Sequence, residues 1–401
     1  MLKLDLSGKT GLVQCDAGDL RGAMTPKQRM LNAYRGINND RPAVAPEFWY
    51  YYPAKMLGYD MITFERSVPF HLALKETFEY FECEGWGAAF GWPQAADVSV
   101  RESEHWLNET TLEVRNRIET PYGVLSSASQ GSRDEPSWVT ERPLKDLDKD
   151  LAAWEHYVFG GDAEALDFSR SVKQWREVGE SYLLEYWLGM PFFDTWAGAR
   201  EGGFETGIYD LMSEELEPIL ERLRERHTAA MVRLARAVCE HTSFESLCIG
   251  CSWSCNSLLG PELWRRWDKP GIAAVAREVH RYGRLLHIHF HGKSMDTVAD
   301  FAEMEIDCVC PFERPPGGDI SGEAGLRAVA DALAGKTTMN GNVHTVETLI
   351  RGTPDDVRRE VAEILSVFKG TARVIVGTGD QVGRETPEAN LQAMIEAVKR
   401  T

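Results

Sequence analysis

The sequence predicts an α/β protein folded as a closed (β/α)8 TIM barrel, and three observations predict it. Short β-branched or apolar runs alternate with helical patterns across the last third of the 401-residue chain, the sequence form of a parallel sheet with right-handed crossovers. The alternation is regular, as in a sheet that closes on itself rather than one that ends at two edges. No Gly-x-Gly-x-x-Gly turn follows a strand, so the open, doubly wound alternative lacks its usual phosphate-binding signature.

Residues 1–24 read as an N-terminal extension, and residues 25–401 as one barrel domain with an insertion around 98–130. Thr25-Pro26, Thr353-Pro354 and Thr386-Pro387 each put a capping hydroxyl before a proline at the first helical position, so each predicts a helix start. The first strand closes on EFWYYY (47–52), a carboxylate followed by aromatics. Next, TLEVRNRIETPYGVLSS alternates with period two about Thr120-Pro121-Tyr122-Gly123, which predicts an inserted antiparallel hairpin. The longest helix is predicted over about 213–240, with Leu216, Ile219, Leu220 and Leu223 along one side. Strands follow at 245–250, 284–290, 306–312, 337–342 and 373–378. The helix before the last strand carries Val357, Val361, Ile364, Leu365 and Phe368 at spacings of three and four.

Composition narrows the function classes. Forty-four basic against 62 acidic side chains give a net charge of −18, a surface that repels nucleic-acid backbones and anionic membranes. The start, MLKLDLSGKTGLVQC, has no apolar run of signal-peptide length and no stretch approaches a membrane span, so a cytoplasmic protein is expected. Of eight cysteines, five fall within 248–310, which in a reducing compartment suggests buried thiols or metal chemistry more than disulfides. No Gly-x-Ser-x-Gly elbow or P-loop appears, so serine hydrolase and nucleotide-phosphate chemistry have no local support.

The sharpest motif is LLHIHFHG (285–292). In a strand, His287, His289 and His291 share one face and Leu286, Ile288 and Phe290 the other. Imidazoles two residues apart near a strand end can reach one ion at about 2.0–2.1 Å, as in zinc sites; hydrogen bonding inside a polar core is the alternative. His289 and His291 lie nearest the end. In a barrel, strand ends converge on one mouth, and other ends supply Glu47, Glu185, Cys310, Glu313, Asn340, Asn342, His344 and Asp380. Cys248, Cys251 and Cys255 form C-x2-C-x3-C, which invites an iron–sulfur reading, although the spacing order is the reverse of that usual in radical enzymes and Cys248 falls within a strand.

The runs NGNVHTVETLIRGTPDDVRREV (340–361) and VIVGTGDQVGRETPEANLQAMIEAVK (374–399), with IDCVCPFERPPGGD (306–319) and TPKQRMLNAYRGINNDRPAVAP (25–46), resemble the uroporphyrinogen decarboxylase superfamily. That superfamily also contains cobalamin-dependent methyltransferases. The resemblance implies the barrel already inferred. The decarboxylase's arginine-rich R-Q-A-G-R motif has no counterpart in EFWYYYPAKMLG (47–58), which leaves a polyanionic tetrapyrrole without its clamp. The methyltransferase branch places zinc on a His-x-Cys-Gly motif and a Gly-Cys-Gly cysteine. Here His289-Phe290-His291-Gly292 and Gly377-Thr378-Gly379 stand at those places, with both thiolates gone. Imidazole and carboxylate ligands leave zinc a stronger Lewis acid, suited to an oxygen rather than a sulfur substrate. Cys308, Glu323 and His344 have the spacing of the Glu-x14-Glu-x20-His pattern of aryl methyl ether demethylases, with cysteine at the first place.

The resemblance therefore implies a methyltransferase of O-demethylase type, moving a methyl group from a small, aromatic methyl ether to the cobalt of a separate corrinoid protein. Zinc is expected on His289 and His291, with Cys310 and Asp380 as further ligands. Glu47, Asn342 and His344 are expected to orient the substrate or supply a proton, and Trp49, Tyr50, Glu185 and Glu313 to contact it. The cobalamin is expected on the partner, because no Asp-x-His-x-x-Gly segment occurs here. A homodimer is compatible with the sequence. A metal-free decarboxylase or lyase acting on a small acid, and a non-catalytic corrinoid-docking protein, are the alternatives.

Overall fold

The structure, a computed structural model, describes residues 24–401; the expected N-terminal extension, Met24 apart, lies outside the described residues. Among the described residues twelve strands run in chain order: β1 (Ala43–Ala45), β2 (Trp86–Phe90), β3 (Ser99–Trp106), β4 (Thr111–Thr120), β5 (Gly123–Ser132), β6 (Trp138–Glu141), β7 (Leu183–Gly189), β8 (Ser246–Cys251), β9 (Leu285–Phe290), β10 (Cys308–Pro311), β11 (Thr338–Val343) and β12 (Val374–Thr378). Eight form a parallel sheet in the order β1-β12-β11-β10-β9-β8-β7-β2. The first strand pairs with the last, so the sheet curls into a TIM-barrel-like α/β fold. Where β1 meets β2 no ladder runs among the described residues. At that seam the buried Glu84 carboxylate accepts from Val44 N–H at 2.9 Å, Arg29 at 2.8 Å and Arg41 at 2.7 Å. A side chain thus satisfies a backbone donor that a neighbouring strand would otherwise take.

Strand alternation separates two cores. Leu247, Ile249, Leu286, Ile288, Phe290, Val309, Met339 and Val376 point outward and pack beneath the helices. Ala43, Ala45, Trp86, Leu183, Cys248, Leu285, Cys308, Cys310 and Ile375 point into the barrel. Helix Pro26–Arg35 plugs the barrel floor: Met30, Leu31 and Tyr34 join the inner core, and Thr338 Oγ1 donates to Ala33 O at 2.6 Å. No helix among the described residues is long and apolar enough to cross a membrane.

Several expectations are corrected in detail. β1 stops two residues short of Glu47, and the aromatics after it enter a helix, Tyr51–Leu57. The insertion is a four-stranded antiparallel sheet, β3-β4-β5-β6, of which the expected hairpin is β4–β5 with Thr120 opposite Gly123. Thr25 and Thr353 close capping boxes with Gln28 and Asp356. Thr386 does not: Pro387 is the N-cap of helix Glu388–Lys399, and Thr386 Oγ1 is buried without a partner. The longest helix is Glu217–His241.

Candidate active site

Because β9 alternates, His287 and His289 enter the barrel, and a hydrogen-bonded file runs from its centre to its mouth. Glu185, on β7 and wholly buried, accepts from Ser246 Oγ at 2.6 Å and pairs with His287 Nδ1 at 2.8 Å. Cys310 Sγ lies 3.0 Å from His287 Nε2 and 3.0 Å from His289 Nδ1. His289 Nε2 stands 3.8 Å from Glu47 at the open end. With neutral rings, proton count fixes the direction of the file. If the Glu185 carboxylate accepts from Nδ1–H of His287, then His287 Nε2 must accept from the Cys310 thiol, and Cys310 accepts from Nδ1–H of His289. His289 Nε2 is then left with a lone pair facing the mouth. Burial, reinforced by the His291 charge, holds the His289 pKa well below its ordinary value, so the ring is neutral.

At the mouth sit Glu47, His291, Glu313 and Asp380. His291 Nδ1 donates to Glu313 at 2.9 Å. Burial opposes its charge, yet the Glu313 hydrogen bond and the Asp380, Glu47 and Glu313 charges outweigh that and lift its pKa to about 9. Burial, reinforced by Asp380, pushes Glu47 up to about 8, and burial also raises Asp380. Glu47 is held by its backbone: its N–H donates to Thr378 Oγ1 at 3.0 Å. Beside it, a Cβ on Gly377 would fall 2.2 Å from Asn340 Oδ1, so only glycine leaves room for that amide.

The structure brings Glu47, His289 and Cys310 together, with one donor atom from each within 4.8 Å of the others. A second such group, Glu185, Cys248 and His287, lies deeper and wholly buried. Other predicted residues stand elsewhere. Glu185 is sealed in the barrel, out of reach of a substrate at the mouth. His344 caps the turn Thr345–Ile350, with Nδ1 accepting from Val346 and Glu347 N–H and Nε2 donating to Pro315 O. Asn342 donates to Phe312 O at 3.0 Å and holds the loop after β10. Trp49 and Tyr50 are separated from the imidazoles by Trp86, whose ring is 5.3 Å from both Trp49 and His289. Cys308, Glu323 and His344 do not converge: Cys308 lies deep in the barrel, while Glu323 is exposed and paired with Arg327. The three cysteines 248, 251 and 255 also divide, Cys248 facing inward and the others outward.

Sequence reasoning missed Trp86 and Asp194. Asp194 accepts from the N–H groups of Ser252, Trp253 and Ser254 and so fixes the loop after β8. Its one signal was a carboxylate five residues past a strand end.

A family model for uroporphyrinogen decarboxylase (URO-D) matches residues 194–401, a little over half the chain. The chain belongs to the uroporphyrinogen decarboxylase family. The matched span holds His289, His291, Cys310, Glu313 and Asp380, but not Glu47 or Glu185. Uroporphyrinogen decarboxylases from two strains of Thermus thermophilus are each 30% identical over 186 residues, covering 46% of this chain and 49% of theirs. The chain thus spans about half the length of the curated relatives it matches. A solved methyltransferase from Methanosarcina mazei superposes on 94% of this chain and 99% of its own, with a TM-score of 0.65 at 16% identity, a likeness of fold.

Proposed function

We propose that this chain is a methyltransferase that takes a methyl group from a small aromatic methyl ether and passes it to the cobalt of a separate corrinoid protein. The observation that carries the proposal is the inward-facing trio Glu47, His289 and Cys310 at the C-terminal mouth of the barrel. A carboxylate, a neutral imidazole and a thiol at this spacing fit a zinc ion and leave a position open for substrate. The trio also accounts for the departures from the family's pattern. Where a thiolate is expected, Thr378 holds the backbone of Glu47, and β10, two strands away in the sheet, supplies a thiol at Cys310. When bound, zinc would act as a Lewis acid on the ether oxygen.

The chain's own residues do the rest. The Glu185–His287 pair orients Cys310 and, through it, His289, as hydrogen-bonded partners orient metal ligands generally. Cationic His291, held by Glu313, donates its proton to the departing phenolate oxygen as the carbon–oxygen bond breaks and the methyl group leaves to the partner's cobalt. The likeness in fold to a methyltransferase from Methanosarcina mazei supports this choice. The test is spectroscopic: cob(I)alamin, the protein and a panel of methoxyarenes. Methylated corrinoid with at least one donor is the expected outcome, and its absence with every donor overturns the proposal.

One observation favours a second reading, a metal-free decarboxylase of a small acid. His291, held at the mouth by Glu313 at 2.9 Å, can pair with a substrate carboxylate and then protonate the carbanion left by carbon dioxide. Under that reading activity survives chelation.

A further inference from the structure

Between the inserted sheet and the helices that follow β1 lies a cavity of about 400 Å³, within the range of small-molecule sites. Three rings build one wall: Phe70 packs 5.4 Å from Tyr50 and edge-on 6.2 Å from Phe64. Leu112 and Val114 of β4 face them, and Phe90, at the end of β2, flanks the opening. The polar part of the lining is neutral at Asn116, Ser129 and Ser137 and, among its charged groups, mostly acidic. Glu65 and Glu102 line the cavity with Arg66, and that one cation is already engaged by Glu102 and Glu104. Among the described residues Glu65 accepts only from Ser137, through its N–H at 3.2 Å and its hydroxyl at 3.4 Å. Two lining carboxylates thus stand against one guanidinium.

We propose that this cavity is a second small-molecule site, which takes an aromatic ring bearing an ammonium group and rejects aromatic acids. Aromatic faces and uncompensated carboxylates both attract a cation, and both repel a carboxylate. Burial already raises the Glu65 pKa above the ordinary carboxylate range, a cost that a bound ammonium relieves. The site is separate from the barrel mouth, because Trp49 and Trp86 stand between it and His289, and it stands independently of the proposed methyl transfer. Its occupant would still be felt there, since Tyr50 and Phe70 both pack on Trp49, at 5.9 and 5.0 Å.

Isothermal titration calorimetry with 2-phenylethylamine and phenylacetate tests this on the full chain. The amine should bind at least about tenfold more tightly than the acid, equivalent to about 1.4 kcal/mol. Val114→Trp, at a half-buried position, should fill the cavity and abolish binding. Glu65→Gln should weaken the amine several-fold and leave neutral 2-phenylethanol unchanged. Equal binding of amine and acid, no binding of the amine at millimolar concentration, or undiminished binding to a folded Val114→Trp variant overturns the proposal.

Discussion

Replacing Glu185 by alanine asks how much the buried file contributes. The carboxylate is wholly buried and serves two donors, Ser246 Oγ at 2.6 Å and His287 Nδ1 at 2.8 Å. An orphaned buried donor costs about 1–3 kcal/mol. Ser246 can turn toward Leu285 O, 3.5 Å away, so its share falls at the low end. His287 has no such recourse for Nδ1, and its share falls at the high end. With a small cavity added, Glu185→Ala should cost about 3–5 kcal/mol, a large part of the roughly 5–15 kcal/mol that holds a typical domain folded. Urea unfolding with an unchanged slope measures it. The double-mutant cycle with His287→Ala should give a coupling of about 1–3 kcal/mol. A loss under about 1 kcal/mol, or additive single mutants, would refute the assignment of Glu185 as the anchor of the file.

Thr378→Val removes the hydroxyl that accepts Glu47 N–H and should weaken zinc binding about 10–100-fold in competition with a chromophoric chelator, as losses of such supporting groups do. Asp268, buried and bonded to Phe193 N–H and the Ser254 hydroxyl, has its pKa raised by burial to about 7. A raised carboxyl pKa gives stability that is full below about 4, where the unfolded side chain titrates, and is lost as pH rises through the folded value. Wild-type stability should therefore carry a decline between about pH 4 and 7 that Asp268→Asn lacks, measured as the pH dependence of the difference in unfolding midpoints. Thr353→Ala breaks the capping box of helix Pro354–Val367 and should cost about 1 kcal/mol in the same urea assay.

The barrel was legible because its later strands are buried on both faces, and such strands read as short apolar runs between capped helices. β8 to β12 fall within a residue or two of their expected places. β1 was overextended because Glu47 and the aromatics after it read as a continuation of an apolar run, whereas the chain turns there into a helix. β3 left no trace: all eight of its residues are exposed, so no apolar alternation marks it, and only its partner β4 carries a periodic signal. At the site, the alternation of β9 exposed the imidazole face directly. What a linear sequence could not supply was register. Cys310 stands opposite His289 because β10 pairs with β9 in that register, and Glu47 arrives beside it through Thr378, on a strand 331 residues away. His344 and Asn342 sit where catalytic residues are expected, yet the His344 ring nitrogens serve a turn and the Asn342 amide nitrogen a loop, a use that depends on contacts across the fold.

Whether Glu47, His289 and Cys310 hold one zinc ion at the barrel mouth is decided by X-ray absorption on protein purified without chelator. One zinc per chain is expected, with one sulfur at about 2.3 Å and the remaining ligands nitrogen or oxygen at about 2.0–2.2 Å. Metal-free protein that is fully active, or a zinc shell containing no sulfur, would contradict it.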